Sequence, residues 1–253
     1  MAFDLNNFVI DRIVRGVALS QKDDSVLFSI NQIQNASLNC ASESTDAVDA
    51  MGTPIATFYR AKSAEFSAEN ALFDMNLMAT QLGTTKKVAS AASKVVAPAM
   101  ESFTAEGGKY VLKHAPKAAP AEIYAINGDS TFGVKYVKET AASASAFAYV
   151  EADHSITLPT GIADGTEMFV MYEYETENAV EVVNSAKNFP VGCKFVMEVL
   201  GCDVCDQTNL VYAYVIFNNA KLSPDFDWSI ATDGTHPFSM KAQQDLRYRS
   251  LAA

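Results

Sequence analysis

The hydrophobic positions along the chain mostly follow the alternating pattern of β-strands. Five runs of strand length are rich in β-branched and aromatic residues, which favour a pleated, half-buried surface. These runs occupy residues 26–33, 54–60, 167–174, 194–199 and 210–217. The pattern therefore predicts a chain dominated by β structure.

Two dipeptides predict tight turns. Asn127-Gly128 and Asp164-Gly165 each lie between two runs of strand-forming residues. Both dipeptides readily supply the positive φ that a short hairpin turn requires. We therefore expect a hairpin at each of them.

One segment, residues 67–82, has the period of a helix. Its Leu, Met and Ala residues fall on one stripe, which is typical of packing against a core. Ser67 is placed to cap this helix, and Gly83 is placed to close it in the left-handed conformation. Residues 84–100, rich in Ala, Ser and Lys, fit either a helix or an extended loop, and any helix ends before Pro98.

Residues 116–176 have the features of a separate small unit. The segment opens with the Pro/Ala-rich stretch HAPKAAPAE, which suits a stiff connection, and then carries about five short strand-like runs. It holds nine acidic and three basic side chains. We therefore predict an inserted β domain over 116–176 and a main domain formed by residues 1–115 and 177–253.

The charge balance argues against a protein that grips nucleic acid. The chain has 19 Lys and Arg residues against 30 Asp and Glu residues, for a net charge of −11. Binding to phosphates by counterion release favours the opposite sign. Residues 139–186 contain nine carboxylates and no Lys or Arg. These acids fall at alternating positions and lack the pattern of a calcium-binding loop, so we interpret them as a solvated surface that repels polyanions.

The apolar runs are too short for a membrane span. No stretch reaches 18 consecutive apolar residues, and the first residues carry an early acid without the apolar core of a secretory signal. These features predict a soluble protein that is made in a cytoplasm and has no stable membrane association.

The cysteines favour free thiols over a disulfide framework, because one of the four is isolated near the start of the chain. Cys202 and Cys205 have the spacing of a zinc half-site, with Cys193 upstream, but a closed zinc site needs four ligands. The histidines do not stand at metal-ligand spacing; they are His114, His154 and His236. We expect Cys193 to be buried and the other two thiols to lie in the turn that follows.

Catalytic fingerprints are missing from the sequence. It contains no G-x-S-x-G, H-E-x-x-H, G-x-x-x-x-G-K-[ST] or G-x-G-x-x-G. We therefore assign no catalytic, cofactor-binding or metal-binding residue, and we expect neither enzyme activity nor a cofactor. A carboxylate pair of the glycosidase kind stays open as a minor alternative, since the chain has 30 acids.

The order of the predicted elements is itself informative. A long strand pair opens the chain, followed by an acidic loop at residues 42–49 and the strand PIATFYRAKSAEFS. One helix, NALFDMNLMATQLG, and a long extended arm come next. The C-terminal part carries KFVMEVLG and LVYAYVIFNNAKLSPDFDWSIATDGTHPFSMKAQQDL. Over about two thirds of the chain, leaving out residues 116–176, this order resembles the tail tube (major tail) proteins of tailed bacteriophages.

The resemblance implies a fold and an assembly. Such proteins form a β-sandwich or partly closed barrel with one flanking α-helix, and some carry a small inserted β domain, here taken as Ig-like, on the outer wall. They assemble as hexameric rings that stack into a tube for genome delivery, in contact with other tail proteins, and DNA passes through without sequence-specific binding. The resemblance implies that residues 41–52 and 84–108 are arms reaching other subunits, that acidic inner strands repel DNA, and that the protein resides in the virion tail.

Two other functions stay open. One is a different phage structural role, as a capsid, decoration or baseplate protein. The other is recognition of a glycan or cell surface by exposed aromatic side chains of the insert, although these more often alternate into a core. The tyrosines available for such a site are Tyr124, Tyr136, Tyr149, Tyr172 and Tyr174.

Overall fold

The computed structural model describes residues 7–204, 206–228, 231–243 and 246–251. The chain forms two compact units, of which the first is made of residues 1–86 and 182–253 and the second of Lys87–Glu181. Strands dominate the described residues of both units, and one α-helix lies in the described part of the first. The predicted mainly β class is therefore confirmed.

The elements follow one another along the described chain with one helix among the strands. The helix α1 (Met75–Gln81) lies between the fourth and fifth strands, and a 3-10 turn (Glu151–Asp153) follows the tenth. The strands are β1 (Phe8–Ser20), β2 (Val26–Ile30), β3 (Ile33–Val48), β4 (Pro54–Asn70), β5 (Lys87–Val88), β6 (Val95–Thr104), β7 (Lys109–Val111), β8 (Glu122–Ile126), β9 (Phe132–Glu139), β10 (Ala146–Val150), β11 (Ser155–Thr157), β12 (Glu167–Thr176), β13 (Val180–Glu181), β14 (Gly192–Asp203), β15 (Asp206–Leu222), β16 (His236–Ala242) and β17 (Leu246–Leu251).

The first unit is built on an antiparallel sheet that curls on itself. Its described strands follow the order β2-β1-β14-β15-β16-β4-β3, and β17 pairs with β15 beside β16. The outer strands of this order, β2 and β3, are consecutive in the chain and are separated only by Asn31 and Gln32. Because three Cα–Cα steps span at most about 11 Å, the two ends of the sheet lie close together. The sheet is a curled half-barrel, which confirms the predicted partly closed barrel.

Aromatic and aliphatic side chains fill the interior of the half-barrel. Alternate residues of β14 point into it, namely Cys193, Phe195, Met197 and Val199. The rings of Phe195 and Phe66 lie 5.8 Å apart between centroids, a separation at which aromatic pairs add about 0.5–1.5 kcal/mol beyond their burial. Since side chains alternate along a strand, the intervening residues of β14 face away from this core.

The helix is shorter and begins later than predicted. Asp74 caps it, because its Oδ1 accepts hydrogen bonds from the backbone N–H of Asn76 at 2.9 Å and of Leu77 at 2.7 Å. Ser67, the predicted cap, lies in β4, which is hydrogen-bonded to β3 on one side and β16 on the other. This strand pairing outweighs the local helical period. Gly83 has a φ of 66°, as predicted for the end of the helix.

The second unit is built on a separate mixed sheet. Its described strands follow the order β6-β12-β8-β9-β10-β11-β7, in which β9 and β10 pair in parallel. Ile123, Phe147, Met168 and Val170 lie at the centre of its own core. One continuous sheet with a parallel pair differs from the two packed antiparallel sheets of an immunoglobulin fold. The expected Ig-like character is therefore not confirmed.

The second unit extends beyond residues 116–176. It also includes residues 87–115 and 177–181, because β6 pairs with β12 along its full length of 10 residues. The expectation of an extended arm at 84–108 was wrong, since β6 is a paired strand of this sheet.

The two predicted turns differ in outcome. Asn127-Gly128 lies in a hairpin between β8 and β9, as predicted, although the positive φ of 64° belongs to Ser130. Gly165 has a φ of 91°, but the strands on either side of Asp164-Gly165 pair with other strands. The hairpin predicted there was wrong.

Candidate assembly surface

Four neighbouring strands of the first unit lie between two open edges of the sheet. We call these strands, β1, β14, β15 and β17, the strand quartet. β2 pairs only with residues 16–19 of β1, so residues 8–15 are hydrogen-bonded to β14 alone within the described sheet. On the opposite side, β17 pairs with β15 and with no other described strand. An open edge presents a row of backbone amides and carbonyls to which another chain can add a strand.

The quartet is in register across its four strands. One row of directly opposed residues is Arg15, Glu198, Tyr214 and Arg249. Every neighbouring pair is antiparallel. The strands at the two open edges, β1 and β17, therefore run in opposite directions.

A buried carboxylate ties three strands of the quartet together. Glu198 is 8% exposed; it accepts hydrogen bonds from Arg15 Nε at 2.7 Å and from the Tyr214 hydroxyl at 2.8 Å. Burial by itself raises the pKa of Glu198, but the hydrogen bonds from Arg15 and Tyr214 and the Arg15 charge outweigh it and hold the pKa below its usual value. The ionised carboxylate thus links β1, β14 and β15.

Gly201 allows β1 to lie close against β14 near its open edge. A Cβ at this position would lie 2.2 Å from the carbonyl oxygen of Val9 and 2.5 Å from Phe8 Cζ. Only glycine lacks the atom that would collide with the neighbouring backbone. The position of the open edge of β1 therefore depends on Gly201.

The open part of β1 is irregular. Its register against β14 shifts between Ile10 and Arg12 and again between Ile13 and Arg15. Bulges of this kind interrupt the even spacing of backbone groups along an edge and discourage pairing with arbitrary strands. Any strand that pairs with residues 8–15 must therefore match this irregular edge.

The β3–β4 hairpin extends far beyond the half-barrel. We call residues 41–60 the arm, since every one of them is exposed while the two strands stay paired along it. Its turn is closed by Asp49, whose Oδ1 accepts hydrogen bonds from the backbone N–H of Met51 at 2.8 Å and of Thr53 at 2.9 Å. The acidic loop expected at 42–49 was wrong, because this segment is mostly strand.

The arm carries large apolar side chains with no cover within the described chain. Met51 is 91% exposed and Tyr59 is 72% exposed, and Ile55 and Phe58 are also exposed. A two-stranded hairpin with no covered face is marginally stable in water. Exposed apolar patches of this kind mark contacts with other chains.

The predicted thiols and histidines do not converge. Cys193 is buried, which raises its pKa to about 11, Cys202 is partly buried, and Cys205 lies outside the described residues. No group of three or more potential metal ligands occurs among the residues that the structure describes. His114 stacks on Tyr174, His154 hydrogen-bonds to Tyr149, and His236 hydrogen-bonds to Gln81.

The tyrosines considered for glycan recognition are packed within the second unit. Tyr172 belongs to its buried core, and Tyr136, Tyr149 and Tyr174 pack against that core. Tyr124 is partly buried and donates a hydrogen bond to a neighbouring carboxylate. These residues therefore serve packing and do not form an exposed aromatic platform.

The sequence reasoning missed a buried carboxylate in the second unit, Glu101, which is 3% exposed. It accepts hydrogen bonds from the hydroxyls of Tyr172 and of Tyr110, the latter at 2.7 Å, and from the backbone N–H of Lys113 at 3.2 Å. Burial, followed by the contact with Glu101, raises the pKa of Tyr110 to about 12. The sequence offered one signal for this site: Glu101 stands at an inward-facing position of the alternating pattern of β6.

Open strand edges and an uncovered arm define a protein that works through contacts with other chains. The sequence profile of the YomU/Tube protein family matches residues 8–245. The chain therefore belongs to this family, which is one of phage tail tube proteins, and its role is that of a structural protein of the virion tail. The family is not known for enzyme activity. A comparison with curated protein sequences gives no match. The described chain has no helix long and apolar enough to cross a membrane.

Proposed function

We propose that six copies of the protein form a ring in which β17 of each copy pairs with residues 8–15 of β1 in the next, and that these rings stack into the tail tube. The tube is a conduit for genome delivery, through which DNA passes without sequence-specific binding. The observation that carries this proposal is the pair of open edges on opposite sides of the strand quartet.

The strand directions support closure of such a ring. Rotation about one axis keeps the direction of β1 the same in every copy, so β17 meets a neighbouring β1 that runs antiparallel to it. The edges then form one continuous antiparallel barrel, and a rotation that closes leaves no free edge. Six quartets make 24 strands; with strands about 4.8 Å apart and tilted by about 40°, the backbone circle is about 48 Å across.

The arm supplies a second contact of the proposed assembly. Its apolar side chains lack cover in the described part of the chain, and its hairpin extends beyond the sheet. We assign it to contacts with a neighbouring copy in the same or the next ring, where burial of these side chains stabilises stacking.

The second unit is proposed to lie on the outer wall of the tube. Its two ends meet, since Val88 pairs with Val180 and Lys87 with Glu181. Adjacent ends are typical of domains inserted into a host fold. Replacing residues 87–181 by a short linker should then leave tubes that are thinner on the outside and have the same channel.

Electron microscopy of the purified protein, combined with a proline scan of β17, tests the ring. Proline removes a backbone donor, and in an antiparallel strand alternate donors point toward β15 and toward the open edge. Proline at each of positions 247 to 250 should prevent rings, whereas only every second variant should lower the unfolding temperature of the monomer. Rings that form in all four variants, or shells in place of tubes, would overturn the proposal.

A further inference from the structure

Most of the charged side chains on the side of the strand quartet that faces away from the core of the first unit are basic, although the whole chain has a net charge of −11. We call this side the free face. On β14, the free face holds the residues that alternate with the core-facing positions. On β1, β15 and β17, it holds the residues that the pairing register places in line with them. The basic residues on it are Arg12, Arg15, Lys194, Lys221, Arg247 and Arg249.

Few acids balance these six basic side chains. Glu198 pairs with Arg15, and Asp11 lies 3.6 Å from the guanidinium of Arg12. Within the described chain, the remaining four basic side chains have no carboxylate within ion-pair distance; they are Lys194, Lys221, Arg247 and Arg249. Six basic groups against two acids leave an excess of four positive charges. The net charge of this face is thus opposite in sign to that of the whole chain.

We propose that the free face of the strand quartet binds the phosphate backbone of duplex DNA without sequence preference. Guanidinium groups match phosphate oxygens in bidentate geometry. At 0.1 M salt the screening length is about 10 Å, so the local charge of the face has more weight than the net charge of the chain. In the ring proposed above this face lines the channel, and that placement rests on the proposed function.

The spread of the basic residues favours a duplex over an acidic peptide. They occur on all four strands, and the outer strands of the quartet lie about 15 Å apart. A single extended peptide presents its carboxylates along one line, whereas a duplex presents two strands of phosphates across a broad surface. A basic face that spans four strands therefore fits the duplex better.

Salt-dependent binding of a fluorescently labelled 20-base-pair duplex, followed by anisotropy at 50 and 200 mM NaCl, tests this inference. About four phosphate contacts give an affinity that falls about 150-fold between these salt concentrations. The double variant Arg247→Gln, Arg249→Gln removes two contacts, so its affinity should be lower at 50 mM and should fall only about 12-fold.

The matched control is Lys117→Gln, Lys138→Gln, which removes the same charge from exposed positions of the second unit. It should behave like the original protein. The inference is overturned if no binding is measurable at 50 mM NaCl, or if the control loses as much affinity as the arginine variant. Polyglutamate that binds as tightly as the duplex, and depends on the same arginines, would overturn the assignment to nucleic acid.

Microscopy of the same samples separates the two proposals. Rings without duplex binding would refute the inference and leave the proposed assembly standing. Duplex binding with the expected arginine dependence, but without rings at any protein concentration, would refute the assembly and support the binding face.

Discussion

Substitution of Gly201 by alanine tests whether the close approach of β1 to β14 sets the open edge. The added Cβ would lie 2.2 Å from the carbonyl oxygen of Val9, whereas ordinary contact begins at 3.4 Å. The backbone of β1 must therefore move by about 1.2 Å, because a carbonyl oxygen cannot rotate away like a side chain. Overpacking of this kind costs about 1–3 kcal/mol of the free energy of unfolding.

The cost stays within that range because the strand end can separate from β14. Residues 8–10 have one neighbouring strand, while residues 16–19 are held on both sides. For a chain of this length about 1–3 kcal/mol lowers the unfolding temperature by about 2–12 °C. The fold should persist, but the displaced edge should no longer match a neighbouring β17, so ring formation should fall sharply.

Thermal unfolding and electron microscopy of the two variants Gly201→Ala and Gly128→Ala measure this effect. Gly128 has no heavy atom within 4 Å of an added Cβ, so its substitution should change stability by no more than about 0.5 kcal/mol. Unchanged stability together with normal rings for Gly201→Ala would refute the reasoning about the edge. An equal loss in both variants would show that the cost is not specific to the β1–β14 approach.

Three further predictions concern the arm and two buried polar groups. Met51→Ser with Phe58→Ser should leave the unfolding temperature nearly unchanged, since both residues are exposed, but should abolish stacking under the microscope. The control Val134→Ser, in the second unit and about as exposed as Phe58, should stack normally. Glu101→Gln should lower the free energy of unfolding by about 1–3 kcal/mol, because an amide cannot accept all the donors that converge on the carboxylate; urea unfolding measures this, and a loss below 0.5 kcal/mol contradicts it. Burial lowers the pKa of His236, so the contribution of neutral His236 to the free energy of unfolding is fully present above the unfolded pKa of about 6.5 and is lost as pH falls below it. The unfolding temperature of the original protein should therefore drop more between pH 7.5 and 5 than that of His236→Phe. Equal drops in the two proteins would contradict this.

The predicted strands matched the structure where the signal was local. Alternation along residues 167–174, 194–199 and 210–217 appears as β12, β14 and β15, because side chains on a strand point to opposite faces whatever the partner is. The run at 26–33 was divided, since two polar residues separate β2 from β3. Periodicity does not reveal where a strand leaves one edge of a sheet and joins the other.

The helix and the domain limits depended on distant partners. Ser67 entered a strand because β16, far away in the chain, pairs with it, and residues 95–104 became a strand because β12 pairs with them. A local pattern indicates how well a segment fits each conformation, but hydrogen bonds to remote segments determine which conformation forms.

By itself, the amino-acid sequence determined the β class, the presence of one helix, the lack of catalytic fingerprints and, through the order of elements, the tail tube family. The tertiary structure alone decided which strand edges stay open, how far the arm extends and where the charges gather. Composition sums charge over the whole chain, whereas pairing register selects which residues share a face, so a net charge of −11 coexists with a basic free face.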